Sequence, residues 1–284
     1  MEQAGDEERV IREVLNALST SARYMADEIR SSFSRYIDLY KAVSGFETQQ
    51  VNIGTVEGKR VFLIQSSITE PNYSPDNYLV KAFNRFFRID ENLYPTYLMG
   101  GIECYVGSTP SMQVGTRAGG QILSVYNGAE TIDDKDMGQI TCVRKASIKF
   151  SGEVPREVNA DAADLFRAVI DVINNVRGRF SNVREDFVNT YGFEPGDITL
   201  TGGEVMLSTL FDLSMSSTMR DYVQKIFASV VPNQVPELLG LGILCGAQPD
   251  LVFSYDDAEG ILVIGHPHKV SSGDCLKYSI IKYM

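Results

Sequence analysis

The sequence has 284 residues, of which 44% are hydrophobic and 22% charged, and a formal net charge of −11. This composition is ordinarily globular and excludes a disordered or fibrous chain, and the length accommodates one large domain or two smaller ones. An acidic balance of this size opposes nonspecific nucleic-acid binding, which requires clustered Lys and Arg, but leaves local basic patches available.

The four cysteines, Cys104, Cys142, Cys245 and Cys275, are widely separated, form no C-x-x-C pair and have no histidine at ligand spacing. That pattern predicts free thiols in a reducing compartment. The stretch Met1 to Arg9 is charged and acidic, which argues against a secretory signal, and no apolar run reaches bilayer-spanning length. The expectation is a protein of the cytoplasm, or assembled there, without a membrane partner.

Residues 1–48 read as an N-terminal helical arm. Val10, Ile11, Val14, Leu15 and Leu18 form one apolar stripe, and Met25, Ile29, Phe33, Tyr36 and Tyr40 continue it after a break at Ser19-Thr20-Ser21. Such a stripe packs either on its own domain or on a neighbouring subunit.

Residues 49–152 read as a hairpin and extended-loop region. Val51, Ile53, Val56, Val61, Phe62 and Ile64 surround Glu57-Gly58-Lys59, which predicts two strands and a turn. A short helix is expected from Asp76 to Arg88. Tyr94 to Gly152 is the least periodic part, expected as strands and extended loops, with a strand from Ile140 to Phe150.

Residues 153–230 begin with one long amphipathic helix, with Leu165, Val169, Val172, Ile173, Val176, Phe180, Val183, Phe187 and Tyr191 on one face. Asn159 is placed to cap it, Asp161 and Asp164 fall in its first turn, Gly178 is a possible bend and Gly192 a stop. A strand over Asp197 to Thr201, a Gly202-Gly203 turn and a helix through about Leu213 follow, then a helix from Ser217 to Val230. Residues 231–284 return to strands, at Ile243 to Cys245, Leu251 to Tyr255, Ile261 to Ile264 and Leu276 to Tyr283. The class is α+β.

Few residues suggest chemistry. Thr201, Gly202 and Gly203, followed by Glu204, sit between an expected strand and helix, where glycines let amides approach an anion; a plain strand-to-helix turn is the alternative. The turn is similar to the Thr-Gly-Gly of actin-like ATPases, but the nearest counterpart of their phosphate loop, Asn52-Ile53-Gly54-Thr55, lacks the required acid. Gly115 to Gly120 contains Arg117 and reads as a mobile loop or an anion cradle. His266 and His268 flank Pro267 and read as solvated loop histidines, since two ligands without a third make no metal site. Asp133, Asp134 and Asp136 lack the glycine and terminal Glu of a calcium loop. Lys81, Arg85 and Arg88 are spaced to share one helical face, a candidate contact for a polyanion or an acidic neighbour, or else a solvated face. No residue is assigned a catalytic, cofactor-binding or metal-binding role.

Taken in order, the helical arm, the hairpin and extended loop, the spine helix over Ala160 to Tyr191, the strand-helix unit over Asp197 to Leu213 and the strand-rich end resemble the tailed-phage major capsid protein fold, also used by encapsulins. Val235 to Gly242 resembles the loop that enters an axial-domain strand. The extended loop lies either at Val51 to Ile64 or at Met112 to Phe150. The resemblance implies a virion structural protein that self-assembles into an icosahedral shell around a genome. It implies itself as main partner, packaged DNA on the inner face, and scaffolding, portal or cement proteins. The alternatives are an oligomeric enzyme holding an anionic or nucleotide substrate at the Thr201 to Glu204 turn, or a tail or connector protein.

Overall fold

The structure, a computed structural model, describes residues 2–56, 58–74, 76–87, 93–154, 158, 160–211, 236–246, 250 and 252–283. The fold is mixed α+β, with about 32% of the described residues in helix and 45% in strand. The chain divides into two compact units, each assembled from separated stretches.

The central unit comprises residues 35–179 and 197–202. Its sheet is built from β1 (Val51–Val56), β2 (Lys59–Thr69), β3 (Pro95–Val106), β4 (Val114–Gly119), β5 (Ile122–Asp134), β6 (Gly138–Phe150) and β7 (Asp197–Thr201). The strand order is β7-β2-β3-β6-β5-β4. One side of β2 pairs antiparallel with β3, while its other side is divided between β1, at Lys59–Ile64, and β7, which runs parallel at Ser67–Thr69. The expected hairpin at β1 and β2 and the expected strand at β6 are both present.

One sheet face carries Phe62, Ile64, Ile68, Leu98, Ile102, Leu123, Val125, Ala146 and Ile148, all buried. Helix α3 (Ala162–Arg179) lies across it with Leu165, Val169, Ile173 and Val176 inward, as the stripe requires. Its approach depends on Gly100 in β3, where a Cβ would sit 2.7 Å from Ile170 Cδ1 and 3.2 Å from Ile173 Cδ1. Asn159 is outside the described residues. The cap is supplied by Asp161, whose Oδ1 accepts from the amides of Ala163 (2.8 Å) and Asp164 (3.3 Å). Short helix α2 (Tyr78–Phe83) is capped by Asn77, which accepts from the amides of Leu79 and Val80. It ends five residues before the expected Arg88.

Helix α1 (Glu2–Ser44) is continuous through Ser19-Thr20-Ser21, against the expected break. The three hydroxyls donate to the carbonyls of Leu15, Asn16 and Ala17, four residues back, so each is satisfied without leaving the helix. The interruption falls instead at Phe33 (φ −119°, ψ 21°), next to the division between the two units. The expected long spine is likewise two helices, α3 and α4 (Ser181–Tyr191), separated at Phe180 (φ −106°, ψ 33°) rather than bent at Gly178. Gly192, at φ 86°, closes α4 in the left-handed conformation expected of a stop.

The terminal unit comprises residues 1–34, 180–196 and 203–284. Strands β8 (Glu204–Leu210), β9 (Pro236–Cys245), β10 (Val252–Asp256), β11 (Ile261–Val270) and β12 (Gly273–Tyr283) form an antiparallel sheet in the order β10-β11-β12-β9-β8. Within this unit Arg23 Nε of α1 donates to the Tyr191 carbonyl (3.0 Å), and Tyr191 Oη donates to the Gly242 carbonyl of β9 (2.8 Å). Leu15, Leu18 and Ala22 are buried, so the stripe of α1 is covered within its own chain, the first of its two expected destinations.

The segment after Gly202-Gly203 is the strand β8, not a helix: Val205, Leu207 and Thr209 alternate inward and are buried, a period of two. Residues 236–242 are already strand β9, not an entering loop. The cysteines are paired, Cys104 with Cys142 and Cys245 with Cys275. Each pair is directly opposed across two antiparallel strands, a proximity created by sheet register and invisible in sequence separations of 38 and 30. The reading of free thiols, and the compartment inferred from it, therefore loses its basis. The expected helix at Ser217 to Val230 lies outside the described residues.

Candidate functional site

The basic stripe does not assemble as spaced. Lys81 is at the end of α2 and pairs with Asp76 at 2.7 Å, both exposed. Arg85 lies beyond the helix, its guanidinium 4.5 Å from the Phe86 ring centre, in a cleft also lined by Asp164, Arg167 and Asp171. Arg88 is outside the described residues. Carboxylates thus accompany both described cations.

At Thr201 to Glu204 the structure places a tight turn that joins the end of β7 to the start of β8. Gly202 and Gly203 both have positive φ, 56° and 96°, which a two-residue turn favours and other residues rarely adopt. With a strand following, no helix start offers its amides there, and the phosphate-turn expectation is withdrawn. Gly115 to Gly119 is strand β4, not a mobile loop. His266 and His268 lie on β11, not in a loop; the His266 side chain is 16% exposed and His268 is half-buried. Asp134 accepts from the amides of Asp136 and Met137 and so shapes the turn between β5 and β6. Among the described residues, no group of three or more His, Cys, Asp and Glu is placed to hold a metal ion, and no helix is long and apolar enough to cross a membrane.

The sequence did not reveal a polar cluster at the β2–β7 pairing. Ser67 and Asp197 are register partners, and the Ser67 hydroxyl donates to the Asp197 carboxylate. Burial pushes the Asp197 carboxyl up despite hydrogen bonds from Ser67 and Gln50. Burial, and then the Asp197 charge, pushes the Tyr97 phenol up to about 12. With no imidazole in the cluster to accept the serine proton, its evident work is to tie together the parallel pair of β2 and β7.

The most accessible features of the central unit are two pieces of strand. β4 ends the strand order, five of its six residues are exposed, and Val114 is 67% exposed. The β1–β2 hairpin projects: Gly54, Thr55, Val56, Gly58, Lys59 and Arg60 are all exposed, and Val56 is 45% exposed. By contrast, the β5–β6 turn is held down within the unit by Tyr36, whose hydroxyl donates to Asp134 at 2.7 Å, and by Arg35, which donates to the Asp133 carbonyl at 2.9 Å.

No family model, curated protein or solved structure matches this chain. β4 was concealed because Gly115, Gly119 and Gly120 made the segment read as loop; the usable signal was the alternation in Leu123, Val125 and their neighbours, which demands a partner strand.

Proposed function

We propose that this chain is a structural subunit that assembles with copies of itself into a closed shell of the tailed-phage capsid and encapsulin kind. The observation that carries the reading is β4: an exposed strand at the end of the central-unit sheet, with no described strand paired along its outer side, that also presents an exposed valine. Such an edge is a template for a strand of another molecule, and proteins that remain alone usually shield it. The projecting β1–β2 hairpin supplies a second and different surface, and in the capsid reading it takes the part of the extended loop.

Contacts between unlike surfaces propagate head to tail and close into rings when the rotation allows. Many weak contacts then sum to a stable particle by multivalency. In this reading the partners are other copies, a packaged genome, and scaffolding, portal or cement proteins, and the location is the virion. A net charge of −11 keeps subunits from adhering indiscriminately to nucleic acid during assembly.

Light scattering after size-exclusion chromatography of the full chain, with negative-stain microscopy of large peaks, tests this. Closed megadalton particles are expected, and Val114→Asp should reduce them to small species with an unchanged circular dichroism spectrum. Rings or tubes would identify a connector or tail component. A monomer or dimer at all salt and protein concentrations would overturn the reading.

A further inference from the structure

A cavity of about 170 Å³ lies in the terminal unit, lined by Arg12 and Asn16 of α1, His266, His268 and Lys269 of β11, and Lys277 of β12. Sheet register sets Lys277 directly opposite His266. One guanidinium, two lysine amines and two imidazoles thus converge, with no carboxylate in the lining itself, in a chain whose net charge is −11.

Lys277 is 8% exposed. Its ammonium reaches Asn16 Oδ1 at 3.4 Å and sits 5.5 Å from the Tyr191 ring centre, and no carboxylate pairs with it among the described residues. A buried ammonium has lost hydration that one amide oxygen and one ring face restore only in part. Burial, and then the nearby Arg23, accordingly pull its pKa down to about 8. Two acids stand beside the lining without meeting Lys277: Glu8 Oε1 meets His266 Nε2 at 3.2 Å, and Asp186, near His268, accepts from Ser271 and Ser272.

We propose that this cavity binds a phosphate group, as inorganic phosphate or as the headgroup of a small phosphomonoester, with Lys277 at its base and Arg12 and Lys269 at its rim. A dianion supplies the counter-charge that Lys277 lacks and accepts charge-assisted hydrogen bonds from several donors at once. The cavity is smaller than the roughly 300–1,000 Å³ typical of sites for drug-sized ligands, which suits a headgroup. Asn16, already oriented toward Lys277, holds the ammonium in place.

The test titrates potassium phosphate into the full chain by calorimetry, with thermal unfolding followed in parallel, against potassium chloride at equal ionic strength. Phosphate should raise the unfolding temperature beyond chloride, because a ligand that binds only the folded state stabilises it by mass action. Lys277→Met should weaken phosphate binding by about tenfold or more, consistent with the loss of a charge-assisted bond. Arg12→Gln, at an exposed position, serves the same purpose if the buried variant fails to fold, and Lys135→Met, exposed and belonging to the other unit, should change nothing. Tighter binding of glycerol phosphate than of inorganic phosphate would assign the site to a phosphomonoester, and the reverse order to the free ion. Equal responses to phosphate and chloride, unchanged phosphate affinity in both cavity variants, or binding of an oligonucleotide without any response to phosphate would each overturn the proposal.

Discussion

Tyr36 donates its hydroxyl to Asp134 at 2.7 Å, joining the last turns of α1 to the turn between β5 and β6 across 98 residues of sequence. This bond, then the amides of Asp136 and Met137, holds the Asp134 carboxyl below its usual range. Tyr36→Phe should lower stability by about 1 kcal/mol at neutral pH. A depressed carboxylate contributes stability that is present above its unfolded value, near pH 4, and is lost as pH falls through its folded value. The difference between the two proteins in urea unfolding should therefore shrink below about pH 4.

Asp186 occupies a buried position on α4 and receives the Ser271 amide (3.2 Å), the Ser272 amide (2.8 Å) and both serine hydroxyls. Burial pushes its carboxyl up, but the hydroxyls and amides outweigh it, and the net shift is downward. Asp186→Ala strands these donors and should cost roughly 2–4 kcal/mol, since bonds to a charged acceptor are the strong ones. The wild-type advantage, read as a urea midpoint, should fade as pH drops through the acid range, by the same sign as for Asp134.

Gly100 sets the distance between α3 and the sheet. Alanine already requires the tip of Ile170 to turn aside and that of Ile173 to give slightly, and the further methyls of Gly100→Val add to this crowding. The valine variant should lose about 1–3 kcal/mol through overpacking, seen as a lower urea midpoint at unchanged slope.

Both disulfides should be present in the oxidised, purified chain. Denatured protein should expose no thiol to a maleimide until a reductant is added, and four per chain afterwards. Closing loops of 38 and 30 residues corresponds to roughly 3–4 kcal/mol apiece on the chain-entropy account. Reduction should accordingly lower the unfolding temperature, and Cys104→Ser with Cys142→Ser should reproduce part of that loss.

Periodic segments were legible and register-dependent features were not. The stripe through Leu165, Val169 and Ile173 and the alternation from Ile140 to Phe150 placed α3 and β6, because one element dictates each pattern. β8 was misread because Val205 to Leu210 is too short to separate a period of two from one of 3.6 when glycines precede it. The cysteine pairs depended on which strands lie side by side, information that no single segment holds. The candidate site failed for the same reason: Lys277 reads as an ordinary polar position in an alternating strand, and only its position opposite His266 and beside Asn16 makes it unusual.

The chain passes from one unit to the other at residues 34–35, 179–180, 196–197 and 202–203. As a ribosome releases the polypeptide, nearly all of the central unit emerges as one uninterrupted stretch, whereas the terminal unit needs both the earliest helix and the latest strand, β12. Residues 1–34 therefore emerge well before β11 and β12, against which Glu8 and Asn16 finally rest. A long wait between distant parts slows folding and leaves apolar surface open to wrong encounters. Chain order, more than the strength of any contact, thus makes Ile11, Leu15 and Leu18 the exposed liability of a half-made molecule, although all three are buried in the finished one.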